Sequence, residues 1–239
     1  MTDSTAERLR AEIIPAAVLW DMDGTLVDTE PYWQESQVAL VAEHDGVWSQ
    51  EDGDSLIGSS LWHSAKVLQD HGVDLTAQEI IDRMTDDVLE RVRVHVPWRP
   101  GARELLRELR DAGIPTALVT MSFRRMAVEI VEIIDFPAFD LVVAGDEVEH
   151  GKPHPEAYLT AAAKLGVDPR HCVAIEDSPT GLAAAMASGA ATIGVEHHAP
   201  LPQDGGFTHR HSLSDVSLSE LSRILHSARG LDALPEGDS

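Results

Sequence analysis

The chain has one cysteine and few positive charges. It carries 18 Lys and Arg against 41 Asp and Glu in 239 residues, a formal net charge of -23. A single thiol, Cys172, excludes an intrachain disulfide and suits a reducing cytosol. It lies in the apolar run His171-Cys172-Val173-Ala174-Ile175 and reads as a buried strand residue, not a nucleophile. The shortage of basic residues excludes a nucleic-acid partner, whose phosphates require stripes of Lys and Arg. It also excludes docking on anionic lipid. No apolar run approaches the roughly 18 residues that span a bilayer. Residues 1–12 lack the basic-then-apolar order of a secretory signal. The expectation is a cytoplasmic protein without a membrane partner, and a monomer as the default state. At this length, with 43% hydrophobic residues, one large or two modest domains can bury a core.

The most informative segment is Asp21-Met22-Asp23-Gly24-Thr25-Leu26-Val27-Asp28. It follows Ala16-Ala17-Val18-Leu19-Trp20, which reads as a buried strand. Side chains on a strand repeat every second residue, so Asp21 and Asp23 start on one side of the chain. Gly24 follows, where the backbone must turn or approach something closely.

Between Pro31 and about Pro97 the apolar spacing is helical: Val38, Leu40, Val41; then Leu61, Ala65, Val67, Leu68; then Ile80, Ile81, Met84, Val88, Leu89, Val92. Loops are expected at His44-Asp45-Gly46, Gly53, Gly58 and His71-Gly72. Beyond, helices and strands alternate. Helices are predicted over 101–112, 123–134, 155–165, 180–188 and 218–228, and strands over 115–119, 141–144, 172–175 and, last, 191–195. Residues 196–211 read as a Pro/Gly/His loop. Such alternation means an α/β fold, a parallel sheet covered on both faces. Ligands of these sheets bind at the carboxyl ends of the strands.

Those ends carry a coherent set. Asp21 and Asp23 follow the first strand, Thr120-Met121-Ser122 the second, and Glu176-Asp177-Ser178 the strand at 172–175. Gly151-Lys152-Pro153-His154-Pro155 precedes a helix. Singly, each has an ordinary reading: a turn, an N-cap, a surface lysine, a helix start. Jointly they fit phosphoryl transfer. A carboxylate can attack phosphorus, and a second acid can move protons. Clustered hard oxygen ligands without thiolates select Mg²⁺. Lysine adds compact positive charge, while Thr120, Ser122 and helix-start N–H groups can hold phosphate oxygens.

This set resembles the haloacid dehalogenase superfamily, in its phosphatase-like branch with a helical cap after the first strand. The motifs are Asp21 to Pro31, Leu118-Val119-Thr120, Lys152-Pro153-His154-Pro155, and Ile175-Glu176-Asp177-Ser178 with Gly181. The resemblance spans about residues 16–195. It implies a Rossmann-like core, residues 1–30 and 98–239, and a cap, residues 31–97. It implies that Asp21 is the nucleophile and a Mg²⁺ ligand, and that Asp23 is the general acid/base, its carbonyl on the metal. Thr120 and the Met121 N–H would bind the phosphoryl group. Lys152 would balance charge. Asp177 would ligate Mg²⁺ directly, and Glu176 directly or through water. Gly24 to Glu30 would form the hinge.

The implied activity is hydrolysis of a small phosphorylated metabolite, a sugar phosphate or sugar-alcohol phosphate. Two alternatives stand beside it: a sugar-phosphate mutase, and a non-catalytic binder of a phospho-ligand or protein. The β-phosphoglucomutase relatives carry a histidine and an arginine where Trp33 and Leu61 stand here, which disfavours the mutase. Within the cap, Trp33, Ser59, Ser60, Trp62 and His63 are candidates for substrate contact, although Trp33 and Trp62 equally suit the cap core. Lys66 reads as a solvated helix lysine. His197, His198, His209 and His211 lack regular metal-ligand spacing and read as an exposed loop.

Overall fold

A computed structural model describes residues 14–56, 59–198, 200–202 and 205–230. The expected lead-in, the polar tail and the loop marker Gly58 lie outside the described residues, wholly or in large part. Strand β1 (Ala17–Trp20) is followed by four helices: α1 (Glu30–Glu43), α2 (Gln50–Ser55), α3 (Leu61–Asp70) and α4 (Ala77–Val94). Then come α5 (Ala102–Asp111), β2 (Thr116–Val119), α6 (Arg124–Ile133), β3 (Leu141–Val143) and α7 (Glu156–Leu165). The chain continues through β4 (Cys172–Glu176), α8 (Pro179–Ser188), β5 (Ala191–Val195), β6 (Thr208–Arg210) and α9 (Leu218–Ala228). The six strands form one parallel sheet in the order β3-β2-β1-β4-β5-β6.

Strand alternation divides the interior in two. Val18, Trp20, Leu118, Val173 and Ile175 face a cluster of large side chains built with α5, α6, α9 and the helical insert. Ala17, Leu19, Ala117, Val119, Cys172 and Ala174 face the other way, against Ala157, Tyr158 and Ala161 of α7 and Ala184 and Ala185 of α8. The second face is lined mainly by small residues, so α7 and α8 can lie close on the sheet. Cys172 is buried there, as expected. The sheet winding reverses at β1, which has β2 on one side and β4 on the other, and this opens a crevice at the strand ends.

Local signals set the helix limits. Ser178 caps α8 by accepting from the Gly181 N–H at 3.1 Å, and Pro179 begins it. Gly166 and Gly189 end α7 and α8 in the left-handed conformation. In α5, Ala102, Leu105, Leu106 and Leu109 are buried, while Arg103, Arg107 and Arg110 reach Asp135 and Asp140.

Three expectations need correction. Gly53 lies inside α2, because Ser49 and Asp52 form a reciprocal capping box that starts a helix of polar residues. Val38 is 51% exposed and outside the core, because the buried stripe of α1 runs through Trp33, Ser36, Gln37, Leu40 and Val41. The strand at 191–195 is not the last: β6 pairs parallel to it, with Val195 opposite Arg210.

The insert leaves and re-enters the sheet region at one place. The Asp28 N–H donates to the Pro97 carbonyl at 2.8 Å, and the Arg99 N–H to the Leu26 carbonyl at 3.0 Å. Val27 and Trp98 form an antiparallel bridge between them.

Candidate active site

The parity that divides the core also builds the site. Asp21 continues the series Ala17, Leu19, and Glu176 continues Cys172, Ala174, so both emerge toward α7. The strands are neighbours, and the Asp21 N–H donates to the Ile175 carbonyl at 3.0 Å. Lys152 enters from the loop before α7, with a cis bond to Pro153. Its Nζ lies 2.5 Å from Asp21 Oδ1, 2.6 Å from Glu176 Oε1 and 3.0 Å from the Val119 carbonyl. Its side chain is 5% exposed. Tyr158 donates its hydroxyl to Glu176 Oε1 at 2.6 Å, and Ser178 donates to Oε2 at 3.3 Å. Glu176 therefore has protein partners on both oxygens.

Asp23 is held apart from this group. Thr29 donates to its Oδ1 at 2.7 Å, and Ser122 to its Oδ2 at 2.7 Å. Thr120 adds a longer bond of 3.4 Å and accepts the Ser122 N–H at 2.9 Å. Met121 stands at the same strand end, and its sulfur accepts the Lys152 N–H at 3.3 Å. A Cβ at Gly145 would lie 2.3 Å from the Met121 carbonyl, so only glycine lets this turn pass.

Asp177 takes a bond from Thr25 Oγ1 at 3.2 Å. Gly24, at φ +88°, lies so close that a Cβ there would meet Asp177 Oδ2 at 2.1 Å. Oxygens of Asp21, Glu176 and Asp177 all lie within 4.8 Å of one another. Burial raises the Asp21 carboxyl well above the usual carboxylate range, Glu176 raises it further, Lys152 pulls it back, and Asp177 adds to the rise. Burial and then Glu176 push Asp177 up to about 7. Burial works against the Lys152 ammonium, yet Asp21 and Glu176 outweigh it and hold its pKa above the ordinary lysine value. The pocket thus concentrates more negative charge than one lysine neutralises. A small, hard divalent cation fits that donor set.

The structure brings together Asp21, Asp23, Thr120, Met121, Lys152, Glu176 and Asp177. It does not link the insert candidates to them: among the described residues no hydrogen bond joins Trp33, Ser59, Ser60, Trp62 or His63 to this group. Trp33 is buried in the large hydrophobic cluster. Ser60 caps α3 by accepting from the His63 N–H at 3.2 Å. The Ser59 N–H donates to the Leu56 carbonyl at 2.9 Å. Trp62 is 50% exposed, and His63 is exposed. Lys66 pairs with Asp70 on the surface, as a solvated lysine should.

Tyr158 and Thr25 were not singled out from sequence, and both position an acid. For Tyr158 a signal existed: it is the only polar-tipped aromatic on the buried face of the helix that follows the lysine loop.

A model of the haloacid dehalogenase-like hydrolases matches residues 15–189. Hexitol phosphatase B of Escherichia coli (strain K12) is 32% identical over 216 residues, which cover 87% of this chain and 93% of that protein. A phosphorylated carbohydrates phosphatase of Thermotoga maritima is 32% identical over 184 residues, 76% of this chain and 85% of that one. A variant of CbbY from Rhodobacter sphaeroides, crystallised with xylulose-(1,5)bisphosphate, matches with a TM-score of 0.77 at 25% identity, over 87% of this chain and 99% of that one. The chain belongs to the haloacid dehalogenase-like hydrolases, in the phosphatase branch with a helical insert after the first strand. Its class of reaction is phosphoric monoester hydrolysis.

Proposed function

We propose that this enzyme is a Mg²⁺-dependent phosphatase that acts on a small sugar phosphate or sugar-alcohol phosphate through a phosphoaspartate on Asp21. The observation that carries the reading is the separate seating of two carboxylates. Asp21 rests on Lys152, while Asp23 rests in a cage of hydroxyls from Thr29, Thr120 and Ser122. The named activities of the relatives support the substrate class. The single buried thiol suits the cytosol, where we place the enzyme.

Asp21, Asp177 and the Asp23 carbonyl would hold Mg²⁺, with Glu176 acting through water, and the ion would supply counter-charge to the transferring group. Lys152 keeps Asp21 in place and adds a positive charge beside it. An Asp21 oxygen attacks phosphorus, and the bond from phosphorus to the ester oxygen breaks. Asp23 delivers its proton to the departing alkoxide. In the second half, Asp23 takes a proton from water as that water attacks the phosphoaspartate, which releases phosphate and restores Asp21. Thr120 and the Met121 N–H hold the phosphoryl oxygens. Residues 31–97 act as a cap over the core of residues 1–30 and 98–239, moving about the paired segments at 26–28 and 97–99.

The test is a phosphate-release screen over many phosphometabolites with Mg²⁺. Release should cease with EDTA and in Asp21→Asn. Activity retained by Asp21→Asn sinks the covalent route. Interconversion of sugar phosphates that requires a bisphosphate activator would replace hydrolysis with a mutase.

A further inference from the structure

The histidine-rich segment after β5 is not a featureless loop. It separates into two groups that pair with different carboxylates. His197 and His198 gather on Asp28, whereas His209 and His211 gather on Glu196.

The second group is built on paired strands. Glu196 directly follows β5, and its N–H donates to the Arg210 carbonyl at 3.0 Å. His209 and His211 flank Arg210, so strand alternation turns both imidazoles to one face and Arg210 to the other, toward Glu220. Glu196 Oε1 lies 3.1 Å from His209 Nε2, and Oε2 accepts His211 Nδ1. The two rings stand at 90° with centroids 5.6 Å apart. The three ligand atoms, two nitrogens and one carboxylate oxygen, lie within 4.8 Å of one another. His209 Nε2 is buried and, despite its nearness to Glu196, makes no aligned hydrogen bond among the described residues.

We propose that Glu196, His209 and His211 form a binding site for a divalent transition metal of the zinc type, separate from the carboxylate pocket at the strand ends. Two neutral imidazoles and one carboxylate are a ligand set for zinc, nickel or copper and a poor one for Mg²⁺. The two sites therefore sort metals by chemistry: oxygen donors around Asp21, nitrogen donors here. The half-exposed position gives an ion access from solvent. A bound metal would cross-link the end of β5 to the edge strand β6, whose three residues have one sheet neighbour. Its effect reaches further, because the Glu196 carbonyl accepts from Arg99 Nη2 at 2.7 Å and the Arg99 N–H donates to the Leu26 carbonyl, at the base of the insert.

The experiment uses the full chain, stripped with chelator and titrated calorimetrically with Zn²⁺ in excess Mg²⁺. The parent should bind zinc, and the paired variant His209→Asn/His211→Asn should lose one equivalent per chain. His150→Asn/His154→Asn, in the surface group that those two histidines form with Glu156, should keep that equivalent. Zinc should also raise the melting temperature of the parent, and the surface variant Glu196→Gln should lose most of that rise. A parent that takes up no zinc overturns the proposal. So does a paired variant that binds as many equivalents as the parent with the same affinity, or a Glu196→Gln melting response equal to that of the parent.

Discussion

The strand ends and the helical insert use the same charged residues in opposite ways. At the strand ends Lys152 is buried between Asp21 and Glu176, and every acid has a named hydroxyl or ammonium partner. In the insert and along its seam the pairs are exposed: Arg83 with Glu43, Arg91 with Glu35, Arg125 with Asp82 and Asp86, Arg93 with Glu129. Breaking a buried pair costs about 3–5 kcal/mol, whereas exposed pairs contribute about 0.2–1 kcal/mol. The sheet edge is thus specified atom by atom, while the insert is specified by its apolar stripe. In the proposed function, chemistry belongs to the first, and the choice of ester to the second.

That contrast can be broken in graded steps. Asp21→Asn should lower phosphate release on the order of 10⁵-fold while the circular dichroism stays that of the parent. A merely tenfold loss would make Asp21 a positioning group. Asp23→Asn should cost about 10²–10⁴-fold on a sugar phosphate. The loss should be much smaller on an aryl phosphate, whose leaving oxygen needs no proton, and equal losses on both would remove Asp23 from proton transfer.

Glu30, at the start of α1, tests the boundary between the two regions. Burial, then the charges of Asp23, Asp28 and Asp54, raise it from 4.5 to about 7. The folded state therefore binds a proton there more tightly than the unfolded chain does. The carboxyl is harmless below its ordinary value and opposes folding increasingly as pH climbs to about 7. Glu30→Gln should be more stable than the parent at about pH 8, by at most about 3 kcal/mol, with the gain vanishing near pH 4. Thermal melts across pH read this directly, and a constant difference would refute it. The smallest effect belongs to the seam. Arg125→Ala should cost no more than about 1 kcal/mol, and high salt should erase the difference in urea melts.

The parallel alternation was legible because β1, β2, β4 and β5 are short apolar runs, the last three each preceded by a helix that stops at a glycine. The convergence of Asp21, Asp23, Thr120, Lys152 and Asp177 was legible because each follows or precedes such an element. Strand β6 was not, since Thr208-His209-Arg210 is polar throughout and takes its form from pairing with β5. Helix α2 escaped for a similar reason: Gln50-Glu51-Asp52-Gly53-Asp54-Ser55 has no apolar spacing and depends on its cap. Tyr158 could not be matched to Glu176 from order along the chain, because only the packing of α7 on the sheet sets them together. The partners of the histidines after β5 could not be read from spacing along the chain. Their carboxylates, Asp28 and Glu196, come from another loop and from a neighbouring strand end.

The two backbone bonds that tie residues 26–28 to 97–99 have a consequence for how such an enzyme can diversify. They fix both ends of the insert at one point, so the sheet does not register how much chain lies between. The closure entropy of that excursion grows only logarithmically, about 0.6 kcal/mol for each doubling in length. By closure entropy alone, chain can be added beyond the clasp at small penalty. If the insert selects the ester, as proposed, substrate choice is a replaceable part of the chain, open to drift and to grafting.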